Sequence, residues 1–300
     1  DILARLERAS LEPDADKRRR LLSFAIIGGG PAGVEVAGAI GEMKRYLLRR
    51  EYPGISIDDV SVTLIEGTGR LLQAMNEQSS AHALEYMGHL MVDVRLNALV
   101  KSYEDNTITF TDGTQMYSEM VIWTAGVKGI PFTFVGTQPQ MARGGRFEVD
   151  EFNRVAGLQD VYAIGDIASH SDERYPRGCP QVAQVAIQQG INLAHNLGRD
   201  TARRRPFVYK DKGSMATIGR NRAVVDLPHP KLHIYGRPAW LAWMLIHLLS
   251  LLGMRNKISV FINWVWGYFT YSSGLRLLIL PTRFPLRQRW APLDNHNPAE

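Results

Sequence analysis

Gly28, Gly30 and Gly33 stand in the pattern Gly-x-Gly-x-x-Gly, between an apolar run at residues 21–27 and a helical pattern at residues 34–50. A strand before such a pattern and a helix after it are the context a dinucleotide pyrophosphate needs. Gly28 permits the tight turn, Gly30 lets the pyrophosphate reach the backbone, and Gly33 lets helix and strand pack closely. The helix N-terminus then faces the phosphates with its partial positive charge. Glu66 ends the next strand pattern, at residues 60–66. A carboxylate there bonds the adenosine ribose hydroxyls and repels a 2′-phosphate, which favours NADH over NADPH. It lies further from the glycines than the usual ~20 residues, and an insertion at residues 46–59 accounts for the difference. The competing readings are a purely structural turn for the glycines and a surface acid for Glu66.

Four more positions could carry chemistry. Glu35 sits one turn into the first helix, where a nicotinamide should lie; a proton or orientation role competes with a role toward the helix dipole. Gln184 and Gln188 are four apart and share a helix face. Their neutral amides can donate to and accept from a carbonyl compound without competing for protons; two surface glutamines is the bland alternative. Asp166 follows Gly165 and could simply cap the next helix. Cys179 is the one cysteine, so an intramolecular disulfide, a CxxC redox pair and a zinc cluster are excluded for this chain. It reads as a packed small residue, and no metal site is expected.

The elements that must position these residues follow from periodicity. A charged helix with a solvated face is expected over residues 1–20, and short buried strands at residues 21–27, 60–66 and 121–126. Helices are expected at residues 34–50 and 78–88, and a small antiparallel hairpin at residues 99–117, turning at Asp112-Gly113. Alternating strands and helices predict a doubly wound parallel sheet, an α/β fold. A further helix is expected at residues 180–197, with Pro180 near its first position, and strands at residues 207–225.

Charge and aromatics are concentrated at one end. The net charge is +5, and from Gly236 onward seven Arg or Lys (Arg237, Arg255, Lys257, Arg276, Arg283, Arg287 and Arg289) oppose Asp294 and Glu300. The rest of the chain is therefore neutral, which argues for one basic surface and against a nucleic-acid binder. Five of the six tryptophans (Trp240, Trp243, Trp264, Trp266 and Trp290) lie in the same stretch. Apolar runs at residues 239–252 and 258–271 flank Arg255 and Lys257 and are 14 residues each. A membrane span needs ~20 residues, so both are expected to lie in the water–lipid interface, with Trp at headgroup level and basic groups toward anionic lipid. A buried dimer contact or core hairpin is the alternative.

Several segments together resemble the type II NADH dehydrogenases, within the flavoprotein reductases that have two dinucleotide domains. They are Ile27-Gly28-Gly29-Gly30-Pro31-Ala32-Gly33-Val34-Glu35, Leu64-Ile65-Glu66-Gly67, Trp123-Thr124-Ala125-Gly126-Val127 and Val161-Tyr162-Ala163-Ile164-Gly165-Asp166. Ala183-Gln184-Val185-Ala186-Ile187-Gln188-Gln189-Gly190 and the tail around His247 and Arg255-Asn256-Lys257 are more specific to that family. The resemblance implies FAD and NADH as cofactors. Gly126 would lie at the return to the flavin domain. Gly165 and Asp166 would bind FAD, Asp166 through the ribitol hydroxyls. Ala183 and Gln184 would lie beside the flavin, and Gln184 and Gln188 would line a quinone pocket. It also implies electron transfer from NADH through FAD to a quinone (ubiquinone or menaquinone) without proton pumping. The enzyme would be a homodimer, held monotopically on the inner face of a respiratory membrane, such as a bacterial cytoplasmic membrane.

Family members carry two glycine fingerprints and this chain has one. From Gly28 to Asp166 is 138 positions, one nucleotide domain rather than two. The fingerprint is therefore expected to serve NADH, with an N-terminal FAD-binding half preceding the chain. The expected division is an end segment and linker helix at 1–21 and an NADH-binding Rossmann-type domain at 22–128. The C-terminal part of a FAD-binding domain follows at 129–235, and a membrane-anchoring helical tail at 236–300. A non-catalytic NADH-binding membrane fragment, or another flavin-dependent quinone reductase, are the rival readings. A sulfide:quinone or disulfide reductase would need a cysteine pair.

Overall fold

The structure, a computed structural model, describes residues 1–270 except Pro131 and Thr133. Expectations resting on Tyr271, Arg276, Arg283, Arg287, Arg289, Trp290, Asp294 and Glu300 lie outside the described residues. The chain divides into two compact units, Asp1–Leu245 and Ile246–Glu300.

Two short helices open the first unit, α1 (Ile2–Ser10) and α2 (Ala15–Leu21), in place of the single helix expected. Pro13 cannot continue a helical ladder, and the Asp14 carboxylate starts the next helix by accepting from the Asp16 and Lys17 amides. Nor is α1 only a solvated face, because Leu6 and Ala9 are fully buried.

Next come β1 (Ser23–Ile27), α3 (Pro31–Glu51), β2 (Ser61–Ile65), α4 (Glu77–His89) and β3 (Asp93–Arg95). An antiparallel meander of β4 (Val100–Glu104), β5 (Thr107–Phe110) and β6 (Gln115–Tyr117) leads to β7 (Met120–Trp123). The expected hairpin thus has a third strand, because Asp105 and Asn106 both take positive φ and turn the chain a second time. Strands β3, β2, β1 and β7 form a parallel sheet in that order.

β1 is buried throughout, and its side chains alternate between two cores. Phe24 and Ile26 join Val62 and Leu64 of β2 and Val34, Ala37 and Ile40 of α3. Ala25 and Ile27 join Ile65, Ile108 and Phe110 on the meander side.

Beyond β7, β8 (Met141–Ala142), β9 (Arg146–Val149) and β10 (Ala168–His170) form a small sheet. Then come α5 (Ala183–Leu197), an antiparallel sheet of β11 (Ser214–Thr217), β12 (Ala223–Pro228) and β13 (Lys231–Tyr235), and helices α6 (Gly236–Ser250) and α7 (Met254–Thr270). The helix expected to begin at Pro180 starts three residues later, at Ala183.

The β11–β12 turn packs directly on α3. A Cβ at Gly38 would lie 2.6 Å from the Gly219 nitrogen, so the helix needs glycine there despite its cost to helicity. Asp226 of β12 fastens α4. Its carboxylate accepts from the Asn76 amide at 2.7 Å and the Ser79 hydroxyl at 2.6 Å, and pairs with His233 Nδ1 at 2.8 Å.

In the second unit, the exposed apolar residues of α7 are Met254, Ile258, Phe261, Ile262, Val265, Trp266 and Phe269. That is the i, i+4, i+7, i+8 spacing of one helix stripe. No helix among the described residues is long and apolar enough to cross a membrane.

Replacing Asp226 with alanine removes a partly buried acceptor and leaves its donors unpaired. We expect a loss of about 3 kcal/mol of stability, read as a lower denaturation midpoint. A change below about 0.5 kcal/mol, the scale of an ordinary surface substitution, would mean that this link carries no load.

Candidate functional site

The first constellation lies at the carboxyl ends of β1, β2 and β7. Gly28 takes φ +112°, a region open to glycine, and donates its N–H to the Ile65 carbonyl at 2.8 Å. Any Cβ there would meet the Ala125 backbone at 2.8 Å. Thr124 straps the turn from the other side, its hydroxyl bonding the Ile27 carbonyl at 2.8 Å and the Gly28 carbonyl at 3.1 Å. A Cβ on Gly33 would collide with the Gly28 carbonyl, which is the close helix–strand approach expected of that position. Gly126, next to Ala125, takes φ +84°.

Gly30 differs from these. It caps α3 in an extended conformation with φ −72°, and a Cβ there would meet nothing within 4 Å. Only an incoming group needs that space bare. A dinucleotide pyrophosphate fits this cradle, at the amino end of a 21-residue helix.

Glu66 is tied into the same turn. One oxygen accepts from the Gly29 N–H at 2.6 Å and the other from the Thr68 N–H at 2.8 Å. A carboxylate has about four acceptor sites, so two stay available for ribose hydroxyls.

Glu35 accepts from the Thr217 N–H at 3.3 Å and hydroxyl at 3.4 Å, joining α3 to β11. It lies past the first turn of α3, so the competing role toward the helix dipole is small.

The second constellation surrounds the start of α5. Gly165 takes φ +71° and donates its N–H to the Gln189 side-chain oxygen at 2.7 Å. Asp166 is exposed, and its carboxylate has no hydrogen-bond or ion-pair partner among the described residues. Gln181 holds its carbonyl at 2.9 Å. Ala183 is the first residue of α5 and is exposed. A free carboxylate beside exposed helix N–H groups suits the polyol and ring edge of a flavin nucleotide.

Gln184 and Gln188 have partners that the sequence did not indicate. Gln184 donates to the Gly213 carbonyl at 3.1 Å and accepts from the Lys212 N–H at 3.0 Å. Gln188 donates to the Lys210 carbonyl at 2.9 Å and accepts from the Lys210 N–H at 3.0 Å. Each amide keeps one N–H and one lone pair beyond these bonds.

Gln189 was missed by sequence reasoning. It is wholly buried, while Gln188 next to it is not, and periodicity alone does not say which of two adjacent glutamines turns inward. Thr124 and Thr217 were missed because nothing in their surroundings marks them before the chain folds.

Cys179 is buried, and burial raises its thiol to about 11. It is a packed side chain rather than a thiolate nucleophile. Among the described residues no cluster suits a metal ion.

The glycines make a paired test. Gly30→Ala is expected to leave stability within about 0.5 kcal/mol and to weaken NADH binding about tenfold or more, equivalent to ~1.4 kcal/mol. Gly33→Ala is expected to cost about 1–3 kcal/mol of stability. Denaturation midpoints and NADH titration read both. Equal destabilisation by the two variants would mean that the Gly30 space is not a ligand cradle.

The pyridine nucleotide-disulphide oxidoreductase profile matches residues 4–190, and the NDH2 C-terminal domain profile matches residues 212–270. The chain is 31% identical over 285 residues to the type II NADH:quinone oxidoreductase Ndh of Mycobacterium tuberculosis, covering 91% of this chain and 60% of that protein. It is 32% identical over 268 residues to the mitochondrial internal alternative NAD(P)H-ubiquinone oxidoreductase A1 of Arabidopsis thaliana, covering 83% and 52%. NDH2 from Plasmodium falciparum, solved in complex with NADH, shares the fold with a TM-score of 0.76 at 20% identity, covering 90% of this chain and 70% of that one. The chain thus spans about 60% or less of the length of these two curated relatives. On a profile match that takes in more than half of its residues, the chain belongs to the pyridine nucleotide-disulphide oxidoreductase family, on the branch of the type II NADH dehydrogenases.

Proposed function

We propose that the protein to which this chain belongs carries electrons from NADH through FAD to a quinone at a membrane surface, without proton pumping. The observation that carries this reading is the grip of Gln184 and Gln188 on residues 210–213, where the NDH2-type C-terminal segment begins at residue 212. Residues 22–128 then form the NADH-binding part, 129–235 part of the FAD-binding part, and 236–300 the surface-attachment tail.

Gly28, Gly30 and Gly33 hold the NADH pyrophosphate, and Glu66 takes the adenosine ribose. Glu35 orients β11 beside the nicotinamide end. Gly126 is where the backbone leaves the NADH-binding part. Asp166, Gly165 and Ala183 hold the FAD, which when bound accepts two electrons from NADH and delivers them to the quinone. The remaining N–H and lone pair of Gln184 and of Gln188 face a quinone carbonyl. A cysteine-based reductase is disfavoured, because Cys179 is buried with a raised pKa.

The test uses the complete native protein. Glu66→Ala is expected to raise the KM for NADH about tenfold, ~1.4 kcal/mol, with little change in kcat, and to narrow the preference over NADPH. Replacing both Gln184 and Gln188 with leucine is expected to raise the KM for quinone. NADH binding without quinone-dependent oxidation in the wild type would instead favour the non-catalytic reading.

The exposed stripe of the second unit, with Leu249 of α6 and Ile258, Phe261 and Ile262 of α7, suits insertion among lipid headgroups. Arg255 and Lys257, between them in sequence, suit anionic lipid. Ile258→Asp with Phe261→Asp is expected to weaken sedimentation with anionic vesicles at least tenfold, ~1.4 kcal/mol. Unchanged sedimentation with a changed oligomeric mass would assign the stripe to a homodimer contact instead.

A further inference from the structure

At the end of the parallel sheet away from the glycine turn, a cleft of about 460 Å³ opens beside the first residues of β1 and β2, Ser23 and Ser61 among them. Along β1 this is four residue steps from Ile27, or ~13 Å. Lys44 of α3, Asp58, Met91, Arg95, Met116 and Tyr117 are among its lining residues. The volume is in the range of small-molecule pockets.

Lys44 is the unusual member. It is only 7% exposed, and among the described residues it has no hydrogen-bond or ion-pair partner. Burial pushes its ammonium pKa down, while the charge of Asp58 pulls it back up. An ammonium on a largely buried side chain, with no hydrogen-bond partner of its own, keeps its donors available to an incoming anion. Two other polar groups of the cleft have partners. Arg95 Nε pairs with Asp93 at 3.4 Å, and the Tyr117 hydroxyl donates to Glu119 at 2.9 Å. Lys44 is thus a cation of the cleft without a bonded partner, and Met91 and Met116 offer apolar, adaptable surface in the same cleft.

We propose that this cleft binds a small organic carboxylate, its single negative charge on the Lys44 ammonium and its apolar body against Met91 and Met116. A singly charged group suits the one cation without a bonded partner, whereas a phosphate dianion would be undercompensated with Asp58 and Asp93 lining the same cleft. The site is separate from the glycine cradle, so it can be filled while NADH is bound.

The test is calorimetric titration with benzoate, with benzyl alcohol as the neutral analogue and orthophosphate as the dianion. Benzoate is expected to saturate one site with a dissociation constant on the order of 1 mM. Lys44→Met is expected to weaken it at least tenfold, leaving NADH binding and the weak affinity for benzyl alcohol unchanged. Protection of Lys44 from acetic anhydride by benzoate, read by peptide mass on the wild-type protein, keeps the test intact if Lys44→Met does not fold. No saturation, saturation that survives Lys44→Met, no protection of Lys44, or a preference for orthophosphate would each overturn the proposal.

Discussion

The extended stretch at residues 210–217 is the constraint on which the site depends. Three side chains seize it in order: Gln188 at Lys210, Gln184 at Lys212 and Gly213, and Glu35 at Thr217. Each glutamine meets one backbone donor and one backbone acceptor, so only an amide serves. Glu35 meets two donors, an N–H and an O–H, so a carboxylate serves there. Individually such bonds are worth about 1 kcal/mol. Their joint effect is geometric, because they fix α5, with Asp166 and Ala183 near its start, relative to α3, with the glycine turn at its start. The two constellations are thus tied to one another through a single extended stretch of chain.

The glycine turn obeys the same logic at shorter range. Gly28 is locked between Ile65 and Ala125, Gly29 donates to Glu66, and Thr124 closes the back of the turn. The turn is therefore braced by its own backbone and side-chain bonds, which limits the ordering that binding would require. Glu66 belongs to that scaffold and to the recognition surface at once. Two N–H groups hold its charge at the end of β2, so the charge cannot swing aside for a 2′-phosphate. On the proposed function, discrimination against NADPH would then rest on a fixed repulsion rather than on a flexible surface acid.

Much of this was legible in the sequence where one residue type has one physical use. Gly28 and Gly33 occupy the strained and crowded positions their spacing announces, and the runs at residues 21–27, 60–66 and 121–126 become three strands of one parallel sheet. Legibility failed where a residue's partner is distant in sequence. Gln184 and Gln188 share a helix face that shows on paper, while the backbone 22 to 29 residues later that takes one donor and one acceptor of each amide does not. Gln189 was overlooked for the converse reason, since its partner, the Gly165 N–H, lies 24 positions back in the chain. At residues 1–20 the error was local. Charge periodicity ran on through Pro13, but Pro13 and the Asp14 cap break the helix in two.

The tail presents the opposite balance of satisfied and unsatisfied groups. Gly253, at φ +77°, reverses the chain after α6, and the Lys257 ammonium donates to the Leu249 carbonyl at 2.8 Å. A cation at the carboxyl end of a helix is favourable, so the polar requirements of the turn are met on the spot. The helix backbones satisfy themselves by construction. What remains exposed is lateral and apolar: Phe261 is 52% exposed and Phe269 77%, on one stripe of α7. Surface of that size and continuity is costly in water at about 25 cal/mol per Å². It carries no polar pattern that would single out one protein partner. On the proposed function, a fluid apolar layer would ask for nothing more specific than this stripe with cations at the turn, and that is why the proposal favours a lipid surface over a folded one.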